Sequence, residues 1–375
     1  MSTFVDLHIL QTLPPSLINR DDTGAPKTAI FGGVPRQRVS SQSWKRAMRK
    51  YFETRFDPET VGTRSKRIPS MIAKKLAELD NSLTHEQITE GITALFKAAK
   101  IKLVTDKKKN EEVEEDQEKQ YPETSYLLFL SPQQIERAAQ AIIDRKGEKF
   151  SKKEAEDILD TRHSVDMAAF GRMLADAPSF NVDASVQVAH ALGVHESQPE
   201  FDYFTAVDDV VEDAEESGAG MIGTVQMMSS TLYRFATINV DGLKKNLGGE
   251  VAPTQAVAQL VEAFVNSMPT GKQNTFANNT LPELVYVAVR DDRSVSLVNA
   301  FEEPVVATDG QGRREASAQA LAAEEREIEE NYGMKPKAAY VVALGEDMRR
   351  PFENLAEPVS FPDLPGRIVD VLEEN

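Results

Sequence analysis

Residues 3–10, TFVDLHIL, are rich in β-branched and apolar side chains and partly alternate, which predicts a strand. Residues 11–38 interrupt the pattern with four prolines and three glycines and read as one long loop. Loops of that length in compact domains are commonly functional or ordered by a partner. Trp44, Met48, Tyr51 and Phe52 then recur at i, i+4, i+7 and i+8, predicting an amphipathic helix over 41–55 with Ser40 or Ser41 as its cap. Residues 65–160 are dominated by helical periodicity, with pieces over 69–80, 84–100, 131–146 and 151–160. The charged stretch 106–119 between them reads as a solvated helix face or mobile loop. Strand patterns return over 163–172, 180–192 and 222–240, and the acidic segment 193–221 reads as a projecting excursion. A helix is predicted over 252–267, strands over 283–290 and 295–301, an acidic helix over 314–331, a strand over 338–344 and a short helix over 364–373. Strands and helices in this order predict an α+β fold of the ferredoxin or RNA-recognition type, with helices on one face of an antiparallel sheet. The block 65–160 would be a helical insertion.

Composition adds limits. The 375 residues are of ordinary globular make-up, with 41% hydrophobic and 27% charged residues. There is no cysteine, which excludes a disulfide framework, a thiolate metal site and a cysteine nucleophile. The opening MSTFVDLHILQTL does not resemble a signal peptide, and no uncharged apolar run approaches the ~20 residues that span a bilayer. A cytoplasmic protein without a membrane partner is expected.

The net charge of −17 argues at first against a polyanionic ligand, because phosphates are held chiefly by cations. Its distribution argues otherwise. Residues 20–50 carry +6, whereas 173–233 contain no Lys or Arg and carry −11, and 315–375 carry −8. Binding follows the local field.

The chemistry concentrates at SSQSWKRAMRK, 40–50. Opposite the apolar stripe, Gln42, Lys45, Arg46 and Arg49 form a polar row at i, i+3, i+4 and i+7, behind Ser40 at the helix start. Hydroxyls and backbone N–H groups at such an end can cradle phosphate, although a Ser-capped surface helix with solvated cations has the same pattern. Asn19, Arg20, Lys27, Arg36 and Arg38 lead into it, and Gly32 and Gly33 permit close backbone approach to a ligand. Together they favour a nucleic-acid face over plain surface. Tyr203 and Phe204 could stack on bases if exposed on a hairpin; from spacing alone they close a small local core. Met173 is similarly either core filler or a soft platform for a base. Lys272 and Gln273, after Gly271, resemble a short phosphate-contacting loop lacking the rest of a P-loop. His190 and His195, five apart, suit neither a helical pair nor one strand face. Asp166, in a strand pattern, could be a metal carboxylate but has no evident partner ligand, and a structural role is the plainer reading. No metal site, catalytic residue or cofactor is expected.

The succession INRDD (18–22), AIFGG (29–33), VSSQSWKRAMRK (39–50), VDMAAFGRM (165–173), FDYFTAVDD (201–209), YRFATINV (233–240) and GKQNTFA (271–277) closely resembles the CasC family. That family provides the CRISPR RNA-binding backbone subunit of the type I-E Cascade complex. The motifs run in family order over about four-fifths of the chain. The resemblance implies a palm from residues 1–60, 161–193 and 224–375, helical fingers from 61–160 and a thumb hairpin from 194–223. It implies a non-catalytic subunit whose copies stack head to tail along CRISPR RNA, kink it at intervals and present it to a target DNA strand beside other Cascade subunits. By motif, Asn19, Arg20, Lys27, Ser40, Gln42, Lys45, Arg46 and Arg49 would line the guide backbone. Met173, Tyr203 and Phe204 would pack at the kink, and Lys272 and Gln273 would add a further backbone contact. Tyr203 stands where a tryptophan is expected, keeping a stacking face of smaller area. Two other readings are a metal-dependent RNA nuclease on the same fold, centred on Asp166, and a protein-interaction module whose basic patch is mere surface.

Overall fold

A computed structural model describes residues 2–104, 121–145, 147–174, 177–206, 221–249 and 251–374. The charged stretch 106–119 and the acids Asp208, Asp209, Glu212 and Asp213 lie outside the described residues. The chain divides into two compact units. One comprises Met1–Met48, Val188–Ile238 and Val257–Asn375, the other Arg49–Gln187 and Asn239–Ala256. The fold is mixed α and β around a large, mostly antiparallel sheet, in keeping with the α+β expectation. Among the described residues no helix is long and apolar enough to cross a membrane.

The first unit is built on strand β1 (Phe4–Ser16), which pairs antiparallel with Leu284–Arg290, Phe4 opposite Arg290 and Leu10 opposite Leu284. Leu284–Arg290 pairs in turn with Ala338–Ala343, and Glu357–Pro358 adds a short parallel edge. On its other side β1 is followed by Met221–Asn239, Ala191–Gly193, β3 (Val34–Val39) and β2 (Thr28–Phe31). Every residue of Leu284–Arg290 is buried. Alternation explains why. Tyr233 and Phe235 pack with Leu10, Tyr286, Leu321 and Phe352 on one face of the sheet. Leu232 lies with Leu13, Val39 and Trp44 on the other. Helical segments thus cover both faces, where the sequence suggested one.

The stretch read as a single loop over 11–38 is largely strand. β1 continues to Ser16, and β2 and β3 form a hairpin whose turn is Gly32–Gly33, at φ 58° and 79°. Two consecutive positive φ angles suit the tight turn that matches strand twist, and glycine adopts them freely. The prolines misled because Pro14 and Pro15 lie exposed at the end of β1, and Pro35, opposite Ile30, meets Ser197 on its other side through its carbonyl, a bond that needs no proline N–H. Two other expected strands are helical turns, Val165–Phe170 and Val298–Phe301, since short apolar runs carry no decisive period. Helix Val240–Leu247, which the sequence pattern does not announce, starts where the Asn239 side chain accepts the Gly242 N–H. The longer helices fall within two residues of their predicted bounds, among them Ser41–Arg55, Pro253–Asn266 and Arg313–Tyr332.

The second unit has its own core, in which Ile72, Leu76, Ile92, Leu95, Phe96 and Leu130 are buried together. His85–Ala98 and Lys152–Leu159 each begin with a reciprocal capping box, Thr84 with Gln87 and Ser151 with Glu154. The Arg172 guanidinium is buried against the carbonyls of Phe180 and Phe129, at 2.9 and 3.1 Å, and pairs with Asp160.

In the first unit a buried ion network joins β1 to its neighbours. Arg290 reaches Asp6 at 3.1 Å and both oxygens of Glu325 at 2.7 and 2.8 Å. Burial pushes the Asp6 carboxyl up, more than the Val295 N–H and Arg290 pull it down. Arg290→Met strands both carboxylates, and removing one partner of such a network costs about 3–5 kcal/mol. Urea denaturation at pH 7 should show that loss, and the gap to the parent should narrow towards pH 5, because protonated carboxyls are cheaper to bury. A loss below about 1 kcal/mol would refute this account.

Candidate nucleic-acid interface

Helix α1 (Ser41–Arg55) buries Trp44, Met48 and Phe52. Gln42 and Arg46 are exposed, and Lys45 and Arg49 are half-buried. The two faces predicted from spacing are therefore present. Trp44 packs among Leu13, Ile18, Val39 and Leu232, and the Arg234 guanidinium lies 3.9 Å from its ring centre. Arg234 also stacks on Phe264 at 4.7 Å, donates to Gln11 Oε1 at 2.6 Å and bonds the Phe264 carbonyl. Burial pushes its pKa down to about 9.

The preceding loop is tied to the start of α1. Asn19 Oδ1 accepts the Ser40 N–H at 2.9 Å, the Asn19 carbonyl accepts the Lys27 N–H at 3.0 Å, and the Lys27 carbonyl accepts the Arg38 N–H at 2.9 Å. Arg20 bridges to Pro26 across the loop. These bonds hold Asn19, Arg20, Lys27 and Ser40 in one neighbourhood at the N-terminal end of the helix. The end itself differs from an open phosphate cradle. The Ser41 N–H donates to His190 Nδ1 at 3.2 Å, and the Ser43 and Trp44 N–H groups turn back to the Ser40 carbonyl. Polar contacts here must come chiefly from side chains.

Arg36, counted with the cationic loop from sequence, is fully buried. Its guanidinium donates to the carbonyls of Phe31, Gly193, Phe301 and Glu302 at 3.0–3.1 Å. It clamps the β2–β3 turn, where a Cβ on Gly32 would overlap the Glu302 carbonyl. Lys50 pairs with Glu53 on the surface.

The Gly271–Gln273 segment joins this neighbourhood from far along the chain. A Cβ on Gly271 would lie 2.3 Å from the Ile18 carbonyl oxygen, so only glycine fits against the backbone just before Asn19. Lys272 is exposed and held at φ 50°, a left-handed conformation costing a non-glycine residue roughly 1–2 kcal/mol. The turn leads into the short helix Gln273–Phe276.

The excursion begins as a two-stranded ribbon, Glu200–Ala206 against Met221–Met227. By register, Phe201, Tyr203 and Ile222 share one face and Phe204 and Met221 the other. All five are exposed, Tyr203 at 63% and Phe204 at 39%. The Phe204 ring covers Gly223, directly opposite. The plainer reading, an aromatic pair closing a local core, does not hold for these side chains. Met173, in the second unit, is 83% exposed just after Val165–Phe170.

Asp166 lies in the first turn of that helix and is 1% exposed. Its Oδ1 accepts the Gly62 N–H at 2.9 Å, and burial pushes its pKa up. Among the described residues no three His, Asp or Glu side chains are grouped to hold a metal. His8 bonds the Tyr233 hydroxyl inside the sheet at 2.9 Å, and His195 accepts the Thr231 N–H at 3.2 Å. His190, by contrast, is exposed beside Arg38, 3.4 Å from its guanidinium. Sequence spacing missed it because its neighbours lie about 150 positions away.

A family model described as CT1975-like protein matches residues 5–365. One similar solved chain, from a "CRISPR RNA-guided surveillance complex, pre-nicking", is 35% identical with a TM-score of 0.80, covering 98% of this chain and 99% of that one. Another, from a "CRISPR RNA-guided surveillance complex", is 29% identical with a TM-score of 0.72 and the same coverage. A search of curated proteins finds no match.

Gly271→Ala drives a Cβ into the Ile18 carbonyl and should cost about 1–3 kcal/mol in urea denaturation. A loss below about 0.5 kcal/mol, the range of neutral surface changes, would show that the turn does not pack there.

Proposed function

The chain belongs to the CT1975-like protein family, and from that membership we propose that it is a non-catalytic, CRISPR RNA-binding backbone subunit of a type I-E Cascade surveillance complex. Similarity over nearly the whole length to chains of CRISPR RNA-guided surveillance complexes supports a place in such an assembly. It also agrees with the CasC resemblance in the motifs. The observation that carries the RNA-binding role is the convergence of residues 19–27, 38–46 and 271–273, joined by the Asn19–Ser40 bond and the Gly271 contact.

In this reading Arg20, Lys27, Lys45, Arg46, Arg49 and Lys272 neutralise guide phosphates, while Asn19, Ser40, Gln42 and Gln273 supply polar contacts. Such contacts fix register without reading bases; pairing with the target DNA strand reads sequence. Residues 1–60, 161–193 and 224–375 form the palm, 61–160 the fingers and 194–223 the thumb. Copies stack head to tail, a heterologous contact that propagates along the RNA among other Cascade subunits. The exposed ribbon suits this role. An isolated two-stranded hairpin with apolar side chains on both faces is marginal in water and gains from covering surfaces. Tyr203, Phe204 and Met173 offer stacking and wedging groups for a kinked nucleotide. The nuclease alternative has less support, because Asp166 is buried with its Oδ1 on the Gly62 N–H and no group of His, Asp or Glu among the described residues joins it to hold a metal.

Filter binding of RNA across salt concentrations tests the interface. Lys45→Ala and Arg46→Ala should each lower the slope of log K against log salt by about 0.7. A flat slope in the parent protein would instead favour a protein-interaction module. In the assembled complex with Mg²⁺, labelled complementary RNA should stay intact; cleavage abolished by Asp166→Ala would overturn the non-catalytic claim. Phe204→Ala should impair complex assembly more than monomer stability, and equal losses would return the residue to a local structural role.

A further inference from the structure

We propose that His190 is an additional guide-RNA contact, a neutral imidazole that donates its Nε2–H to a phosphate oxygen beside Arg38 and Lys27. The inference rests on the guide-RNA reading of this face and adds His190, which neither the motif resemblance nor helix spacing assigned to it.

The two nitrogens of the ring have different surroundings. Nδ1 faces two donors, the Ser41 N–H at 3.2 Å and an Arg38 guanidinium nitrogen at 3.4 Å. A backbone amide and a guanidinium cannot accept hydrogen bonds, so Nδ1 must be the acceptor and carry no proton. The single ring proton is thereby fixed on Nε2, at the opposite edge of an exposed side chain. A second proton would have to enter at Nδ1, against both donors. Partial burial, followed by the Arg38 and Lys27 charges, accordingly holds the pKa below the ordinary histidine value. The ring remains an uncharged donor at neutral pH.

Its surroundings suit an anion. His190 precedes Ala191–Gly193, which pairs with β3 so that Arg38 lies opposite Leu192. Arg38 is braced by the Thr28 carbonyl at 3.3 Å as well as by the imidazole, so its fork is held rather than free to sweep. Lys27 is joined to the same strand through the Arg38 N–H. Two cations and a fixed neutral donor therefore meet at the start of α1, where the Ser41 N–H is already spent on the ring. The contact belongs to the side chains and not to the helix end.

Neutral and charged contacts leave different marks on salt dependence, because only a cation releases a counterion. Arg38→Gln should weaken RNA binding and lower the salt slope by about 0.7. His190→Asn keeps an oxygen in the place of Nδ1 for Ser41 but lacks the distal donor. It should weaken binding about tenfold or more, the worth of one hydrogen bond to a charged group, with the slope unchanged because the ring itself carries no charge. His190→Ala should weaken binding at least as much and also lower the melting temperature of the RNA-free protein, since Ser41 loses its acceptor. Binding by His190→Asn equal to the parent would overturn the contact and leave the ring as a brace for the helix. A slope lowered by about 0.7 in His190→Asn would overturn the neutral form and make the bound ring a cation. Lys45→Ala provides the control for the underlying reading. If it and the His190 variants all bind like the parent, the guide-RNA reading of this face fails. If Lys45→Ala weakens binding while His190→Asn does not, only the present inference fails.

Discussion

The candidate interface depends on one buried cation. Arg234 comes from the middle of the long strand Met221–Asn239 and is sandwiched between Trp44 of α1 and Phe264 of Pro253–Asn266. Burial is the sole cause of its lowered pKa, and among the described residues no carboxylate offsets it. Its charge is met by two aromatic faces, the Gln11 amide oxygen and the Phe264 carbonyl. A desolvated cation over aromatic rings gains about 2 kcal/mol or more per favourable contact, but only while the geometry is kept. Loss of a ring would leave a buried charge poorly solvated. The arrangement therefore penalises any tilt of α1 away from the sheet, and α1 is the element that carries Gln42, Lys45 and Arg46 outward.

The same economy runs through the surrounding polar groups. Arginines that look alike in sequence divide by burial into two trades. Arg36, Arg172, Arg234 and Arg290 are interior and spend their donors on carbonyls, carboxylates or rings. Arg20 and Arg46 are exposed. The first group fixes backbone: Arg36 alone ties a hairpin turn to Gly193, Phe301 and Glu302. The second group stays at the surface, on the face proposed for the guide RNA. A net charge of −17 is thus compatible with the proposed polyanionic ligand, because binding follows the local field of a few oriented cations near α1 and not the sum.

Much of the architecture was legible in the chain. Long periodic helices such as Ser41–Arg55 and Arg313–Tyr332 declare themselves through repeated apolar positions, which average over many residues. Short elements do not. VDMAAF lies in a strand-like pattern yet forms a helical turn, and the Gly32–Gly33 turn hides inside a proline-rich stretch that suggests a loop. The cationic row on α1 was visible for the same reason as the helix, its i, i+3, i+4 spacing. The exposure of Tyr203 and Phe204 was not, because alternation says which residues share a face but not whether anything covers it.

Sequence by itself determined the helix that presents the cations, the opposed placement of Trp44 and Lys45, the location of the basic segment and the family to which the chain belongs. These rest on local periodicity, composition and motif order, which the chain carries without folding. Tertiary structure alone decided which charges reach solvent, that Asn19 and His190 satisfy the first N–H groups of α1, and that Gly271 packs against Ile18. Each of those contacts joins residues separated by 21 to roughly 250 positions. Their partners are chosen by strand register and close packing, which no local pattern encodes.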